Sequence, residues 1–294
     1  MNTNELLPLA LHRVELRASS GTDWPLVVVA TRPTALEATV YEPVMCLILQ
    51  GAKEATSRHG AIRLRSGDCL LVSHDTPVVA RITEASPDQP YVAVIIPINA
   101  AILRGLYEAL GDRGPGGDQP GAVNTGRADS PTLATLARSL ALEPGTVEAD
   151  VLAPLLAKEL HYRLLVSPIG RSLRQLLSPS RHADKIARAI AEIRRHYAES
   201  LRPADLARLA GMSPSSFHSH FKAITGTTPI QYQKDLRLTE AKRLLEAGSM
   251  TVTQVALAVG YESGPQFSRE YARKFSVPPK RDLARRTATA QGQD

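Results

Sequence analysis

Two stretches of this chain gather side chains that can hydrogen-bond to bases and phosphates. In the first, Ser215, His218, Ser219 and Lys222 recur at three- and four-residue spacings, opposite an apolar set of Phe217, Phe221 and Ile224. In the second, Gln266, Ser268, Arg269 and Arg273 surround an inward pair, Phe267 and Tyr271. Serine hydroxyls touch base edges or phosphates but discriminate weakly. His218 can donate to guanine N7 or O6 or to a phosphate, Gln266 can pair with adenine N6 and N7, and Arg269 suits guanine or a phosphate. Lys222 and Arg273, with Arg195 and Lys274, read as phosphate contacts or as surface charge.

The elements that must position these groups are written twice. Leu206-Ala207-Arg208-Leu209-Ala210-Gly211-Met212-Ser213 precedes the first set, and Val255-Ala256-Leu257-Ala258-Val259-Gly260-Tyr261-Glu262-Ser263 precedes the second. Each copy is a short amphipathic helix whose alanines permit close approach. A glycine then takes the turn, and a serine is placed to cap the following helix. This is a helix-turn-helix pattern, and a second helix of this kind enters the major groove of DNA. A long helix over 229–246, with Leu236, Leu244 and Leu245 inward, fixes the distance between the copies. Two grooves on one face of DNA lie about 34 Å apart unless the duplex bends. Arg237 on that helix reads as a brace for the linker rather than a phosphate contact.

Charge agrees with this reading. The 294 residues carry a net charge of +6. Residues 181–294 hold 19 Lys and Arg against 11 Asp and Glu, so the remainder is slightly acidic. The basic half is thus the half able to hold a polyanion. No stretch approaches the roughly 20 apolar residues that span a membrane, and the first ten residues read as no export signal. Two cysteines, Cys46 and Cys69, without metal-ligand spacing, suit a reducing cytosol. Enzyme readings find little support. His59 and His74 stand alone in the strand-rich half, which lacks the closely spaced histidines of a metal-binding barrel. Neither a nucleophile elbow nor a phosphate loop occurs, so no catalytic residue, metal or cofactor is expected.

From about Leu11 to Ile98 short β-branched runs alternate with turns: 26–29, 46–49, 61–64, 69–72, 78–79 and 91–96 read as strands of a small antiparallel barrel or sandwich. A helix follows over 100–110, then a Gly- and Pro-rich stretch over 111–130 that reads as a loop. Helices are predicted over 132–142, 150–166 and 171–177, with Leu152, Leu155, Leu156, Leu160 and Leu164 as one apolar face of the second. Residues 178–182 read as a linker. The C-terminal half is predicted helical over 184–198, 203–210, 214–225, 229–246, 251–258, 264–275 and 279–286, with a structureless tail beyond. The expected architecture is α+β. Residues 1–180 form a barrel with a helical extension, and residues 181–294 an all-α domain with two helix-turn-helix units.

These residues resemble a known family. The run Ser213-Pro214-Ser215-Ser216-Phe217, Phe221-Lys222, Thr225-Gly226-Thr227-Thr228-Pro229, Arg237-Leu238, Val259-Gly260-Tyr261-Glu262-Ser263, Phe267-Ser268-Arg269 and Pro278-Pro279 is similar to the AraC/XylS transcription regulators. Pro43 to Gly51 with Lys53 resembles the cupin-like N-terminal domain of one branch of that family. The resemblance implies a bacterial, cytoplasmic regulator, more often an activator, with double-stranded DNA, RNA polymerase and a small-molecule effector as partners. It also implies a homodimer formed through the helical region at 150–166. That branch usually carries Arg where Ser219 stands, so base readout by the first unit is expected to be weak. Relatives in the branch respond to reactive aldehydes, which makes Cys46 the candidate sensing residue. Two rival readings remain: a constitutive architectural protein whose barrel only dimerises, and an isomerase or dioxygenase barrel carrying a DNA-binding domain.

Overall fold

The computed structural model describes residues 2–17, 24–57, 60–110, 122–177 and 181–290. His59 lies outside them, as do residues 178–180 of the expected linker. The chain divides into two compact units. One takes in most of residues 1–184; the other takes in residues 185–294 with the short segments 37–40 and 77–79. Among the described residues no helix is long and apolar enough to cross a membrane.

The first unit opens with helix α1 (Thr3–Arg17). Strands β1 (Leu26–Ala30), β2 (Glu37–Tyr41), β3 (Val44–Gln50), β4 (Ala52–Ser57), β5 (Gly60–Arg65), β6 (Asp68–Val72), β7 (Thr76–Glu84) and β8 (Tyr91–Pro97) follow in the chain, with 37–40 of β2 and 77–79 of β7 grouped with the second unit. Helix α2 (Ala100–Leu110), strand β9 (Val123–Arg127) and helices α3 (Ser130–Ala141), α4 (Val147–Val166) and α5 (Arg171–Leu177) complete the first unit. The strands form a five-stranded sheet, β1-β8-β3-β6-β9, and a four-stranded sheet, β2-β7-β4-β5. The strands pair antiparallel, for example β3 with β6 and β8, where Cys46 lies opposite Leu70 and Ile95.

Central strand β3 explains why its sequence reads as an unbroken apolar run. Side chains alternate between the two faces of a strand. Cys46 and Ile48 join Leu64, Leu70, Val72, Ile82, Tyr91 and Ala93 in one core. Met45, Leu47 and Leu49 join Leu6, Leu136, Leu160 and Leu164 of the helices in another. With both faces covered, Met45 to Leu49 are all buried, and polar residues would have no face to occupy.

Several expectations need correction. Helix α1 replaces the strand signals expected from Leu11; it buries Leu6, Ala10 and Arg13. The Arg13 guanidinium donates to the carbonyls of Leu142 and Trp24, which satisfies a charge that reads as surface in the sequence. Strand β9 lies within the stretch expected to be a loop and pairs along β6 from Asp68–Arg127 to Val72–Val123. Strands β2 and β4 were not expected. The leucine face of α4 divides: Leu156, Leu160 and Leu164 are buried in the unit's own core, whereas Leu155 is 60% exposed. Leu155 instead belongs to an outer stripe with Val147, Val151 and Tyr162, all exposed.

The second unit is helical: α6 (Arg181–Arg195), α7 (Pro203–Leu209), α8 (Pro214–Thr225), α9 (Pro229–Ala247), α10 (Val252–Ala258), α11 (Gly264–Phe275) and α12 (Pro279–Ala290). Arg181 and His182, expected in the linker, open α6. Helix α12 runs on to Ala290, past the expected start of a structureless tail. Ile186, Ile190 and Ile193 of α6 pack with Leu206, Phe217, Phe221, Tyr232 and Leu236 in one core.

Candidate nucleic-acid interface

The two helix pairs α7–α8 and α10–α11 repeat at the level of single hydrogen bonds. In the first turn, Gly211 N–H donates to Arg208 O and Met212 N–H to Ala207 O, each at 2.9 Å. In the second, Gly260 N–H donates to Leu257 O and Tyr261 N–H to Ala256 O, again at 2.9 Å. Both glycines sit in the left-handed region, at φ 56° and 83°, where a side chain is disfavoured. The caps repeat as well: Ser213 Oγ accepts from Ser216 N–H at 3.4 Å, and Ser263 Oγ accepts from Gln266 N–H at 3.3 Å. Inside, the Phe217–Phe221 rings lie 5.5 Å apart at 53°, and the Phe267–Tyr271 rings 5.5 Å apart at 54°. One extra residue, Glu262, precedes the second cap.

This scaffold decides which side chains face outward. Ser215, His218, Ser219 and Lys222 of α8 are all exposed, as are Gln266, Arg269 and Arg273 of α11. Ser268 is half-buried beside fully buried Phe267, so it is less available than its neighbours. His218 and His220 stand two apart on one helix, a spacing that does not bring two rings to one face. No group of His, Cys, Asp and Glu among the described residues is placed to hold a metal ion.

The basic residues divide into two sets. Lys274 donates to Asp235 Oδ1 at 3.1 Å and is mostly buried, so the expected phosphate role gives way to an ion pair inside the domain. Arg195 pairs with Glu192 at 3.2 Å on the surface. Lys242, buried, holds Asp282 at 2.9 Å, and the Tyr271 hydroxyl donates to the same carboxylate at 2.6 Å, which docks α12. Lys222, Arg269 and Arg273 are exposed and make no ion pair among the described residues.

Arg237 does what its sequence position suggested. Its guanidinium donates to the carbonyls of Tyr197 at 2.7 Å, Glu199 at 2.7 Å, Ala198 at 3.3 Å and Gly260 at 2.7 Å. One side chain on α9 therefore clasps the segment entering the first helix pair to the turn of the second. Gln233 reinforces it by donating to Tyr197 O and Glu199 O. Beside the clasp lies a cavity of about 450 Å³ whose wall includes Ile230, Lys234, Leu257, Tyr261 and Gln266.

A network that the sequence did not reveal centres on Glu270, which is half-buried on α11. Lys234 Nζ and the Tyr261 hydroxyl donate to it at 2.9 and 2.8 Å, and Gln266 Nε2 at 3.2 Å. Burial pushes the Glu270 carboxyl up, but these three donors outweigh it and hold the group below the usual carboxylate range. The only sequence signal was the four-residue spacing of Gln266 and Glu270; the other donors come from separate elements.

In the first unit, Cys46 lies in the core between strands of both sheets and is 4% exposed. Burial pushes its thiol up, against smaller opposing effects of Lys53 and Tyr91. The reactive form of a cysteine is the thiolate, so this environment disfavours it. Cys69 is buried as well, and burial together with nearby Cys46 pushes it up to about 12. Both thiols are free.

Comparison with known proteins places the two units alike. A family profile described as the AraC-type transcriptional regulator N-terminus matches residues 26–172, and a helix-turn-helix domain profile matches residues 206–285. The regulator ExsA of Pseudomonas aeruginosa is 24% identical over 240 residues, which covers 80% of this chain and 84% of ExsA. YobQ of Bacillus subtilis is 37% identical over 92 residues, 31% of this chain and 38% of that protein. The chain thus spans well under half of YobQ. Among solved structures, apo ToxT of Vibrio cholerae superposes over 90% of this chain and 98% of its own, with a TM-score of 0.54 at 12% identity. A second ToxT structure, bound to an unsaturated fatty acid, gives 0.51 at 11% identity over 87% of this chain and 94% of its own.

Proposed function

Because the chain belongs to the AraC family of DNA-binding transcriptional regulators, we propose that it is a cytoplasmic, effector-controlled activator that recruits RNA polymerase. In this reading one subunit spans two successive major grooves. Arg269 and Gln266 supply base readout from the second unit, with Ser268 beside them. Ser215, His218 and Ser219 of the first unit give weaker contacts, and Lys222 and Arg273 hold phosphates. The observation that carries the reading is the duplicated turn-and-cap geometry, with exposed polar side chains on each capped helix.

The N-terminal unit takes the effector and joins two copies of the chain. The exposed stripe Val147, Val151, Leu155 and Tyr162 on α4 supports a homodimer there, in place of the leucine face first expected. Leu155→Asp is expected to give a monomer by sedimentation; a variant that stays dimeric would move the interface elsewhere. Effector binding acts by favouring one arrangement of the units over another. The ToxT structure bound to a fatty acid supports a small organic molecule as the input. Burial of Cys46 argues for an effector held without a bond to sulfur. Cys46→Ser is therefore expected to keep any response to aldehydes, and loss of that response would restore the covalent reading.

The test is a footprint on the chain's own upstream DNA, paired with transcription from that promoter with and without candidate effectors. Protection of two major-groove segments about one helical turn apart per subunit, with effector-dependent transcription, is the expected result. Protection of a single groove would contradict the two-unit reading. Effector-independent occupancy would favour a constitutive architectural protein.

A further inference from the structure

We propose that Glu270 is a specificity-determining positioning residue that locks the Gln266 amide in one orientation and thereby selects an amino-bearing base, adenine or cytosine, at one position of the DNA site. This rests on the reading of α11 as a recognition helix. An exposed glutamine is two-faced: rotating its amide exchanges donor for acceptor, so alone it tolerates bases of either kind. Here the choice is made by a neighbour. Glu270 is one turn along the helix, and each of its oxygens already accepts from a fixed donor: Oε1 from Lys234 Nζ at 2.9 Å, Oε2 from the Tyr261 hydroxyl at 2.8 Å.

A carboxylate so placed can only accept, so the group that Gln266 turns toward it must be the NH₂, and Nε2 lies 3.2 Å from Oε1. The amide carbonyl is then directed away from the carboxylate, and the reversed orientation would set two acceptors against each other. Ser263 Oγ accepts the Gln266 backbone N–H and Pro265 precedes it, so the residue is also held at its root. In the major groove a fixed acceptor matches the adenine N6 or cytosine N4 amino group. It is repelled by the acceptors of guanine O6 and N7 and of thymine O4. Because Glu270 contacts Gln266 rather than DNA in this arrangement, its effect passes through the amide.

The experiment is selection of bound sites from a randomised DNA library by the full-length protein, its Glu270→Gln variant and its Gln266→Ala variant. Thermal midpoints are measured on all three. The wild type is expected to prefer A or C over G and T at one position by about tenfold. Glu270→Gln frees the amide to rotate and is expected to reduce that preference to about threefold or less, with other positions unchanged. Gln266→Ala should flatten the same position. A change confined to one position separates positioning from general damage to the helix, which would weaken every position together. If Glu270→Gln leaves the base preference intact, or flattens all positions, the inference is overturned while the DNA reading stands. If no motif is enriched by any of the three proteins, both fall.

Discussion

The two helix-turn-helix units share a backbone and differ in what they hang on it. Turn bonds, serine caps and ring pairs agree almost atom for atom. The outward side chains do not: the first unit offers Ser215, Ser219 and His218, the second Gln266 and Arg269. Their support differs as well. The turn of the second is clasped by Arg237 and its capped helix is braced through Glu270, whereas at the first turn Lys185 donates from Nζ to Gly211 O at 2.8 Å. In the proposed reading, the duplicated fold carries one unit braced for base readout and one that mainly holds the DNA. The backbone pattern fixes how a helix is presented, and a handful of side chains decides what it can distinguish.

The largest break in the symmetry should come from the turn glycines. A Cβ on Gly260 would fall on the Ala198 carbonyl oxygen, so that backbone itself must move, whereas one on Gly211 meets nothing closer than Lys185 Nζ at 3.6 Å. Gly260→Ala is expected to cost more than about 3 kcal/mol and Gly211→Ala about 1 kcal/mol, the strain of a positive φ. Chemical denaturation of both variants checks this, and equal losses would show that the turns are equivalent after all.

Removing the clasp comes next. Arg237→Leu leaves the carbonyls of Ala198 and Gly260 without this donor, and a loss of about 2–3 kcal/mol is expected, read as a lowered thermal midpoint. A small effect there, with DNA affinity reduced instead, would return Arg237 to the phosphate role. These comparisons belong near neutral pH, because the first unit is expected to lose stability in acid. Burial pushes His74 down to about 4, so the folded chain keeps it neutral while the unfolded chain takes up a proton below about 6.5. Stability present at neutral pH is therefore lost as pH falls from about 6.5 to 4, by roughly 3 kcal/mol at most. A His74→Gln variant should flatten that slope.

The smallest effect distinguishes holding from reading. Lys222→Ala and Arg273→Ala are each expected to lower the salt dependence of binding by about one phosphate contact, equally across sequences. A sequence-dependent loss for either would promote it to a base contact.

The helix-turn-helix units were legible because their signals are local. A turn glycine, a capping serine and aromatic residues at four-residue spacing fall within about a dozen positions. What escaped the sequence depends on distant partners. Helix α1 is hidden by Pro8 and by Arg13, a charge whose burial makes sense only once the carbonyls of Trp24 and Leu142 are beside it. Strand β9, Val-Asn-Thr-Gly-Arg, has almost no strand signal of its own and exists through its ladder with β6. The leucines of α4 were rightly read as apolar, yet which of them faces the core is set by the helices α2, α3 and α5 packed against it. At the interface, the exposed faces of α8 and α11 followed from periodicity. The ties of Lys274 to Asp235 and of Glu270 to Lys234 join residues 39 and 36 positions apart.

The most direct test is binding of the full-length protein to its own upstream DNA across a salt series, beside Arg269→Ala and Ser219→Ala. The account expects specific, salt-sensitive binding that Arg269→Ala weakens by about ten- to a hundredfold and Ser219→Ala by less than about threefold. Equal losses from the two variants, or no loss from Arg269→Ala, would contradict the division of labour between the units.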